Sequence, residues 1–337
     1  MTQNIKNYLV RKNVEFSLER YGIKALAAMT KGLFASLIIG LILQVLGEQL
    51  SIPLLVNFSE IAMDMMGPAI GVSVAYGLQA PPLVIFTSVI TGAAGAELGG
   101  PVGAFLAAII GAECGKLISK ETKLDIVLTP MTVIISGLLV ADFVGPAIDT
   151  LMTGLGQLII QTTELHPIPM GILVSVLMGM ALTLPISSAA IGLMLSLSGL
   201  AAGAATVGCS AQMIGFAVIS FRENGWGGLV SQGLGTSMLQ IPNIVKNPYI
   251  WIPPTLTGAI LGPIATTLIP LKNIPIGSGM GTAGLVGQFG TIEAMGTEVI
   301  GAVILLHFVL PASLSFLIYK IMYSFNLIQD KDLLLDI

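Results

Sequence analysis

Long apolar segments separated by short polar ones make up most of this chain. A helix needs about 20 mostly apolar residues to cross a membrane. Ten segments come near that length, at 32–49, 54–78, 81–98, 101–118, 126–148, 168–185, 188–206, 208–221, 250–270 and 298–322. Two others, 226–247 and 275–296, are too rich in glycine and polar residues for ordinary spans and predict re-entrant hairpins. The pattern predicts an all-α polytopic membrane protein with about ten transmembrane helices and two re-entrant hairpins in its C-terminal half.

The order of these segments also predicts how the chain is organised. We expect a basic amphipathic N-terminal helix, a first membrane half that forms a scaffold and dimerises, an amphipathic connector, a second membrane half that carries a ligand site, and a short polar tail. The corresponding ranges are 1–31, 32–148, 149–167, 168–325 and 326–337.

The distribution of lysine and arginine predicts the orientation, because loops on the cytoplasmic side carry an excess of both. The first 31 residues hold six of them, and the connector 149–167 holds none. Further cations follow at Lys116, Lys120 and Lys123, at Arg222 and at Lys320. When the predicted spans are counted from the N-terminus, each of these positions falls on the same side of the membrane as the N-terminus. The sequence therefore predicts a multi-pass protein of a bacterial plasma membrane, with its N-terminus and tail in the cytoplasm and the connector outside.

Composition supports the membrane class and excludes several functions. The chain is 54% hydrophobic and only 9% charged, against about 25% charged in soluble domains. The net charge of −4 argues against nucleic acid as a partner. Cys114 and Cys209 lack the spacing of a metal site, and no nucleotide-binding motif or catalytic nucleophile is present, so we expect no metal and no cofactor.

One acidic residue in the second half is the strongest candidate for function. Glu293 lies in the run Gly287-Gln-Phe-Gly-Thr-Ile-Glu-Ala-Met-Gly296, which has no other charge and is flanked by apolar segments. A carboxylate at membrane depth is costly and usually faces a cavity, a substrate or a partner. Glu293 and its neighbour Gln288 therefore predict a binding site for a polar solute.

Further candidates lie upstream of this run, where prolines break the helical pattern. Asn243 and Asn247 precede the run Pro248-Tyr-Ile-Trp-Ile-Pro-Pro254, and their amides suit a ligand with many hydroxyl groups. Tyr249 and Trp251 either stack on a sugar ring or mark the membrane interface.

Two histidines and two carboxylates complete the set of candidates. His166, at the start of the sixth predicted span, is either a ligand donor, a pH sensor or a solvated loop residue. For His307, inside the last span, we expect a packed neutral imidazole bonded to a helix carbonyl. Glu60 and Asp64 share one helix face, as a proton-coupled carrier would require, but that face equally suits water or a dimer interface.

At these motifs the chain resembles a known family. Gly290-Thr-Ile-Glu-Ala-Met-Gly296 and the upstream Asn-Pro-aromatic element resemble those of enzyme IIC, the membrane component of the bacterial phosphotransferase system. The whole chain is similar to a compact IIC-like branch that includes regulators of the perfringolysin-regulator type. The resemblance implies a homodimer with one sugar bound in each protomer by Glu293, with His166 as a second contact. Sugar phosphorylation would then require separate IIA and IIB proteins.

Three functional hypotheses stay open at this stage. The first is a IIC-type permease that moves a carbohydrate or similar polar solute by alternating access. The second is a membrane sensor with the same fold that binds a ligand or lipid and does not transport. The third is an ion-coupled transporter that uses Glu60 or Asp64. In all three, membrane lipids surround the chain, and the basic N-terminal residues are expected to lie near anionic headgroups.

Overall fold

The computed structural model describes residues 3–336, and these residues are helical, with one isolated β-bridge between Gly199 and Asn273 and no β-strand. Five of the described helices are long and apolar enough to cross a membrane. They are Glu19–Gln49, Pro82–Ile118, Asp125–Thr163, Gly199–Ile219 and Thr297–Ser324. The fold is therefore all-α and polytopic. The number of crossings and the re-entrant placement of the two hairpins remain predictions.

The chain separates into two compact units. The first unit contains residues up to Gly40 and residues 57–151. Its helices are α1 (Gln3–Arg11), most of α2 (Glu19–Gln49), α3 (Pro53–Asp64), α4 (Met66–Gly77), α5 (Pro82–Ile118) and much of α6 (Asp125–Thr163).

The second unit contains residues 41–56 and the chain from Met152 onward. Its helices are α7 (Pro167–Thr183), α8 (Ser188–Met194), α9 (Gly199–Ile219), α10 (Phe221–Val230), α11 (Ile241–Lys246), α12 (Ile252–Pro263), α13 (Pro275–Ser278), α14 (Val286–Met295) and α15 (Thr297–Ser324). The segment 41–56 is the last part of α2, the turn after it and the first residues of α3. The sequence pattern gave no sign that this segment belongs with the C-terminal half.

Glycine decides where the longest apolar stretch of the first unit reverses. Helix α5 is interrupted at Gly99 and Gly100, and Gly100 has a φ of 57° that side chains with a Cβ rarely adopt. After this break Gly103 lies against Gly95, so the second half of the helix packs back along the first. The predicted segments 81–98 and 101–118 correspond to these two arms.

Several helices begin or end at residues other than those of the predicted segments, and the reasons are local. Pro146 lies inside α6 and does not end it, so the predicted connector helix is part of a helix that continues to Thr163. The predicted spans 188–206 and 208–221 are instead the short α8 and the single helix α9, because the break falls at Ser196 and Gly199, which both have positive φ. The basic N-terminal segment also breaks, at Asn13, and α2 begins at Glu19.

Close backbone approach organises the centre of the second unit. Helices α7, α9 and α12 pack on one another, and a Cβ at Gly208 of α9 would overlap the carbonyl oxygen of Ser175 in α7. The Ser175 hydroxyl donates to the carbonyl oxygen of Gly258 in α12 at 2.8 Å. Small residues permit such contacts between helices in lipid, where van der Waals packing and interhelical hydrogen bonds drive association.

This packing predicts that Gly208→Ala destabilises the protein. Alanine is the better helix former by about 1 kcal/mol, but its methyl group would push α7 and α9 apart at a cost of about 1–3 kcal/mol. The measurement is thermal unfolding of the purified protein in detergent. Gly301→Ala is the matched control, because a Cβ at Gly301 meets no atom within 4 Å. We expect a lower melting temperature for Gly208→Ala alone, and equal melting of both variants would contradict the packing argument.

Candidate functional site

The run predicted to form the second hairpin is a series of short helices joined by tight turns. Helix α13 has only four residues, and α14 begins after a turn in which Gly281, Gly284 and Leu285 all have positive φ. The glycines permit this backbone, since the left-handed region costs them no steric penalty. The turn lies on α9, where a Cβ at Gly281 would overlap Cys209.

The side-chain amide of Asn273 ties this broken segment together. Its Nδ2 lies within hydrogen-bond distance of Thr206 Oγ1 at 2.7 Å, the carbonyl oxygen of Gly287 at 2.9 Å and Thr291 Oγ1 at 3.1 Å. Its Oδ1 accepts from the backbone N–H of Ile274 at 2.7 Å. Asn273 is buried, so α9, α13 and α14 are held by one amide in a setting without competing solvent.

Gln288 is buried on α14 and faces a histidine. Its Nε2 lies 3.0 Å from Nδ1 of His307 on α15. The expected carbonyl partner of His307 is therefore wrong, and the partner is the amide of Gln288. Gln288 Oε1 and His307 Nε2 are buried and have no hydrogen-bond partner among residues 3–336.

These two free atoms form a matched donor and acceptor in either arrangement of the amide. If Gln288 donates to Nδ1, the imidazole carries its proton on Nε2 and Gln288 Oε1 is the free acceptor. If the amide is turned by 180°, its oxygen accepts from the Nδ1–H group of His307. The imidazole Nε2 is then the free acceptor, and the amide nitrogen of Gln288 is the free donor. In both cases the pair leaves a donor and an acceptor free, and hydroxyl groups can bond to either kind of atom.

A third buried polar atom lies on a helix that packs against the helices of both members of the pair. Ser210 is fully buried on α9, and its hydroxyl oxygen has no partner within the described part of the chain. Helix α9 packs against α14 and against the part of α15 that carries His307. Buried polar groups are hydrogen-bonded in most proteins, so three such atoms on three touching elements indicate a place for a polar ligand or ordered water.

Glu293 lies on the same helix as Gln288 but is exposed, and it makes no hydrogen bond or ion pair within the described residues. Five residues along an α-helix rotate a side chain by about 140°. The two residues that the sequence grouped together therefore project from different sides of α14, and only Gln288 faces His307.

Asn243 and Asn247 bind the C-terminal segment of the chain. Asn243 Nδ2 donates to the carbonyl oxygen of Leu334 at 2.9 Å, and Asn247 Nδ2 donates to Asp332 Oδ2 at 2.6 Å. Among the described residues their amides make no contact with Gln288 or Glu293. The predicted site residues thus fall into two groups that the structure does not join.

Side chains from α10 and from the turn before α11 complete this slot for the C-terminal segment. Both oxygens of Glu223 accept backbone N–H groups, from Lys331 at 2.9 Å and from Leu333 at 3.1 Å. Asn224 and Gln240 both donate to the carbonyl oxygen of Leu333. Burial, together with the nearby Asp330 and Asp332, raises the pKa of the Glu223 carboxyl, although both backbone N–H groups lower it. The slot therefore binds mainly backbone groups of the C-terminal segment, which forms turns between Gln329 and Leu334.

The remaining candidates lie outside both groups. His166 is exposed at the residue before α7, where Pro167 begins the helix. Tyr249 is half exposed, whereas the indole N–H of Trp251 donates to Gln212 Oε1 at 3.0 Å. Gln212 also bonds to Thr183 and Thr255. Sequence reasoning missed this network and Asn273. The only sequence signal for Asn273 is that it is an amide close to a proline that breaks the helical pattern.

Together these observations define a polytopic helical membrane protein with a buried polar cluster beside a glycine-broken segment. Residues 23–335 match the family described as phosphotransferase system, EIIC, and the chain belongs to that family. It is a membrane component of the phosphotransferase-system type. No curated protein and no solved structure matches the chain. The resemblance drawn from the Gly290–Gly296 motif is confirmed at the level of the family, and the compact regulator-containing branch remains a proposal.

Proposed function

We propose that this protein is a IIC-type permease that binds a carbohydrate or similar polar solute and moves it across the membrane by alternating access. It acts as a homodimer, with separate IIA and IIB proteins as the source of phosphoryl groups. Membership of the EIIC family supports the class. The free donor and acceptor of the Gln288–His307 pair support a hydroxylated solute.

The pair carries this proposal because it is buried, polar and incomplete. A solute with several hydroxyl groups would complete the two hydrogen bonds with different hydroxyls, because the free nitrogen of the imidazole faces away from the amide. A site built to bond a hydroxyl group discriminates strongly against solutes without it, because the buried groups are then left unpaired. Glu293, exposed on another side of α14, is placed to contact the solute as it enters.

The proposal predicts solute binding that depends on Gln288. We expect a sugar, a sugar phosphate or a small polar metabolite to raise the melting temperature of the purified protein, because a ligand that binds only the native state stabilises it. Gln288→Met removes the amide at similar length and is expected to weaken binding at least tenfold, equivalent to one lost hydrogen bond in a buried site.

Gln240→Met is the matched control. Gln240 is also buried in the second unit, but its amide nitrogen bonds to Gln232 and Leu333 and its oxygen accepts from Asn243. We expect Gln240→Met to lower stability while the solute affinity stays at the wild-type value. Wild-type affinity in Gln288→Met would contradict the proposed site, and a protein that none of these solutes stabilises would contradict the permease.

A membrane sensor is the second candidate function, and one observation favours it. Asn243 and Asn247, which the sequence placed in the solute site, hold the C-terminal segment instead. A ligand that displaced this segment would change the chain's surface without transport. Flux of the stabilising solute into proteoliposomes separates the two functions, because a sensor binds and gives no flux. An ion-coupled carrier would need Glu60 and Asp64, which are both exposed on α3, and its flux would collapse with the proton gradient.

A further inference from the structure

Two neighbouring cavities of the second unit form one groove along α9 and α15. One cavity, of about 400 Å³, has an entirely apolar lining that includes Ile214, Ala217 and Phe308. The other, of about 380 Å³, is lined by apolar side chains together with Arg222, Lys320, Tyr319 and Tyr323. Val218 lines both cavities, which therefore adjoin, and we refer to the two together as a groove with an apolar part and a part that carries two cations.

The two helices run in the same direction along this groove. Gly215 lies against Ser315, and further on Ile219 belongs to the cluster that contains Met322. Arg222 and Lys320 therefore lie at the same end of the unit, as the predicted orientation requires. Phe308 and Ala312, in the apolar part, lie near the middle of α15.

The dimensions and chemistry of the groove match one chain and the headgroup of a lipid. From Phe308 to Tyr323 the helix rises roughly 22 Å, whereas half of the hydrocarbon core measures about 15 Å. A groove of this length accommodates part of an acyl chain in its apolar part and a headgroup at its cationic end. Basic pockets between helices at the cytoplasmic side of membrane proteins bind anionic headgroups.

An oxyanion already occupies the cationic end. Asp330 Oδ1 lies 3.4 Å from Arg222 Nη1 and accepts a hydrogen bond from the Tyr323 hydroxyl at 3.0 Å. Both charged side chains are largely exposed, so this pair is weak and a phosphate can replace the carboxylate. Lys320 lies over the Phe316 ring at 5.1 Å and pairs with no carboxylate in the described part of the chain.

We propose that this groove binds one anionic phospholipid, with its phosphate at Arg222 and Lys320 and one acyl chain between Ile214 and Phe308. The site is separate from the Gln288–His307 pair. It does not depend on whether the protein transports a solute.

The test measures retention of phosphatidylglycerol by the purified full-length protein, using native mass spectrometry and thermal stabilisation in detergent. Phosphatidylcholine with the same acyl chains is the comparison lipid. We expect phosphatidylglycerol to bind more tightly, and Arg222→Gln/Lys320→Gln to weaken it by about tenfold or more, since each cation contributes to the attraction. Lys246→Gln/Lys272→Gln is the matched control, because it removes two exposed cations from the same unit.

Two further variants test the head and chain positions separately. Ala312→Phe fills the apolar part and is expected to reduce phosphatidylglycerol retention. Asp330→Asn removes the competing carboxylate and is expected to increase it. Equal loss in both double variants, or equal binding of the two lipids, would overturn the proposal. Equal stabilisation by free glycerol phosphate would also overturn it, because the acyl chain would then contribute nothing.

Discussion

Glu113→Gln is expected to destabilise the protein by about 3–5 kcal/mol, the cost of leaving a buried charge without its partner. Glu113 lies in the first unit, 6% exposed, between two cations. Its Oε1 is 3.3 Å from Arg20 Nε, and its Oε2 is 3.0 Å from Lys116 Nζ. Glutamine keeps the size of the side chain and removes the only carboxylate that compensates these charges in the described structure.

Both cations also contact the end of helix α4, and Arg20 in addition donates to the backbone and side-chain oxygens of Asn13. Arg20 Nη2 and Lys116 Nζ both donate to the carbonyl oxygen of Leu78, at 2.9 and 3.2 Å. The C-terminal carbonyls of a helix carry about half a negative charge. This partial charge cannot replace the carboxylate, so two buried cations would repel each other in the Glu113→Gln protein.

Thermal or denaturant unfolding in detergent measures this loss. Glu121→Gln is the control, because Glu121 also pairs with two cations, Arg11 and Lys12, but is exposed, and surface pairs contribute little. Adding Lys116→Met to Glu113→Gln should restore part of the stability by removing one uncompensated charge. A small effect of Glu113→Gln, or no recovery in the double variant, would show that the cluster does not stabilise the fold.

Asn273→Leu is expected to cost about 2–4 kcal/mol and to loosen residues 275–296 more than the rest of the second unit. Leucine has nearly the same shape but leaves the backbone N–H of Ile274 and the acceptors around Thr206 and Gly287 without their bonds. Each unsatisfied buried group costs about 1–3 kcal/mol. Gly277 and Gly290 pack against Asn273 Oδ1, and neither has a side chain that could replace the lost hydrogen bonds.

Hydrogen exchange of the purified protein measures this effect segment by segment, since local opening raises exchange only where the structure loosens. We expect faster exchange in 275–296 and, because Gln288 lies within it, weaker solute binding. Asn57→Leu is the control, because Asn57 is exposed on α3. An Asn273→Leu protein whose exchange rises equally throughout the second unit would show that Asn273 stabilises the unit without organising this segment.

The sequence by itself determined the class of the protein and some of the places where its helices break. A charged fraction of 9% and long apolar segments leave a polytopic helical membrane protein as the fold class. Breaks at Gly99–Gly100 and between Pro275 and Leu285 follow from glycine and proline, whose backbone preferences are local. The Gly290–Gly296 motif also indicated the family, because a short motif can be recognised in the sequence without a structure.

Only the tertiary structure decided which polar groups meet. The motif predicts Gln288 as a site residue, but its hydrogen-bond partner His307 is 19 residues away on another helix, and Glu293 lies on a different side of α14. Glu113 meets Arg20, and Asn243 meets the C-terminal segment, across still longer separations. Helical periodicity fixes the direction of a side chain relative to its own helix. Which group it faces depends on how helices pack, and that is set by close contacts such as Gly208 against Ser175.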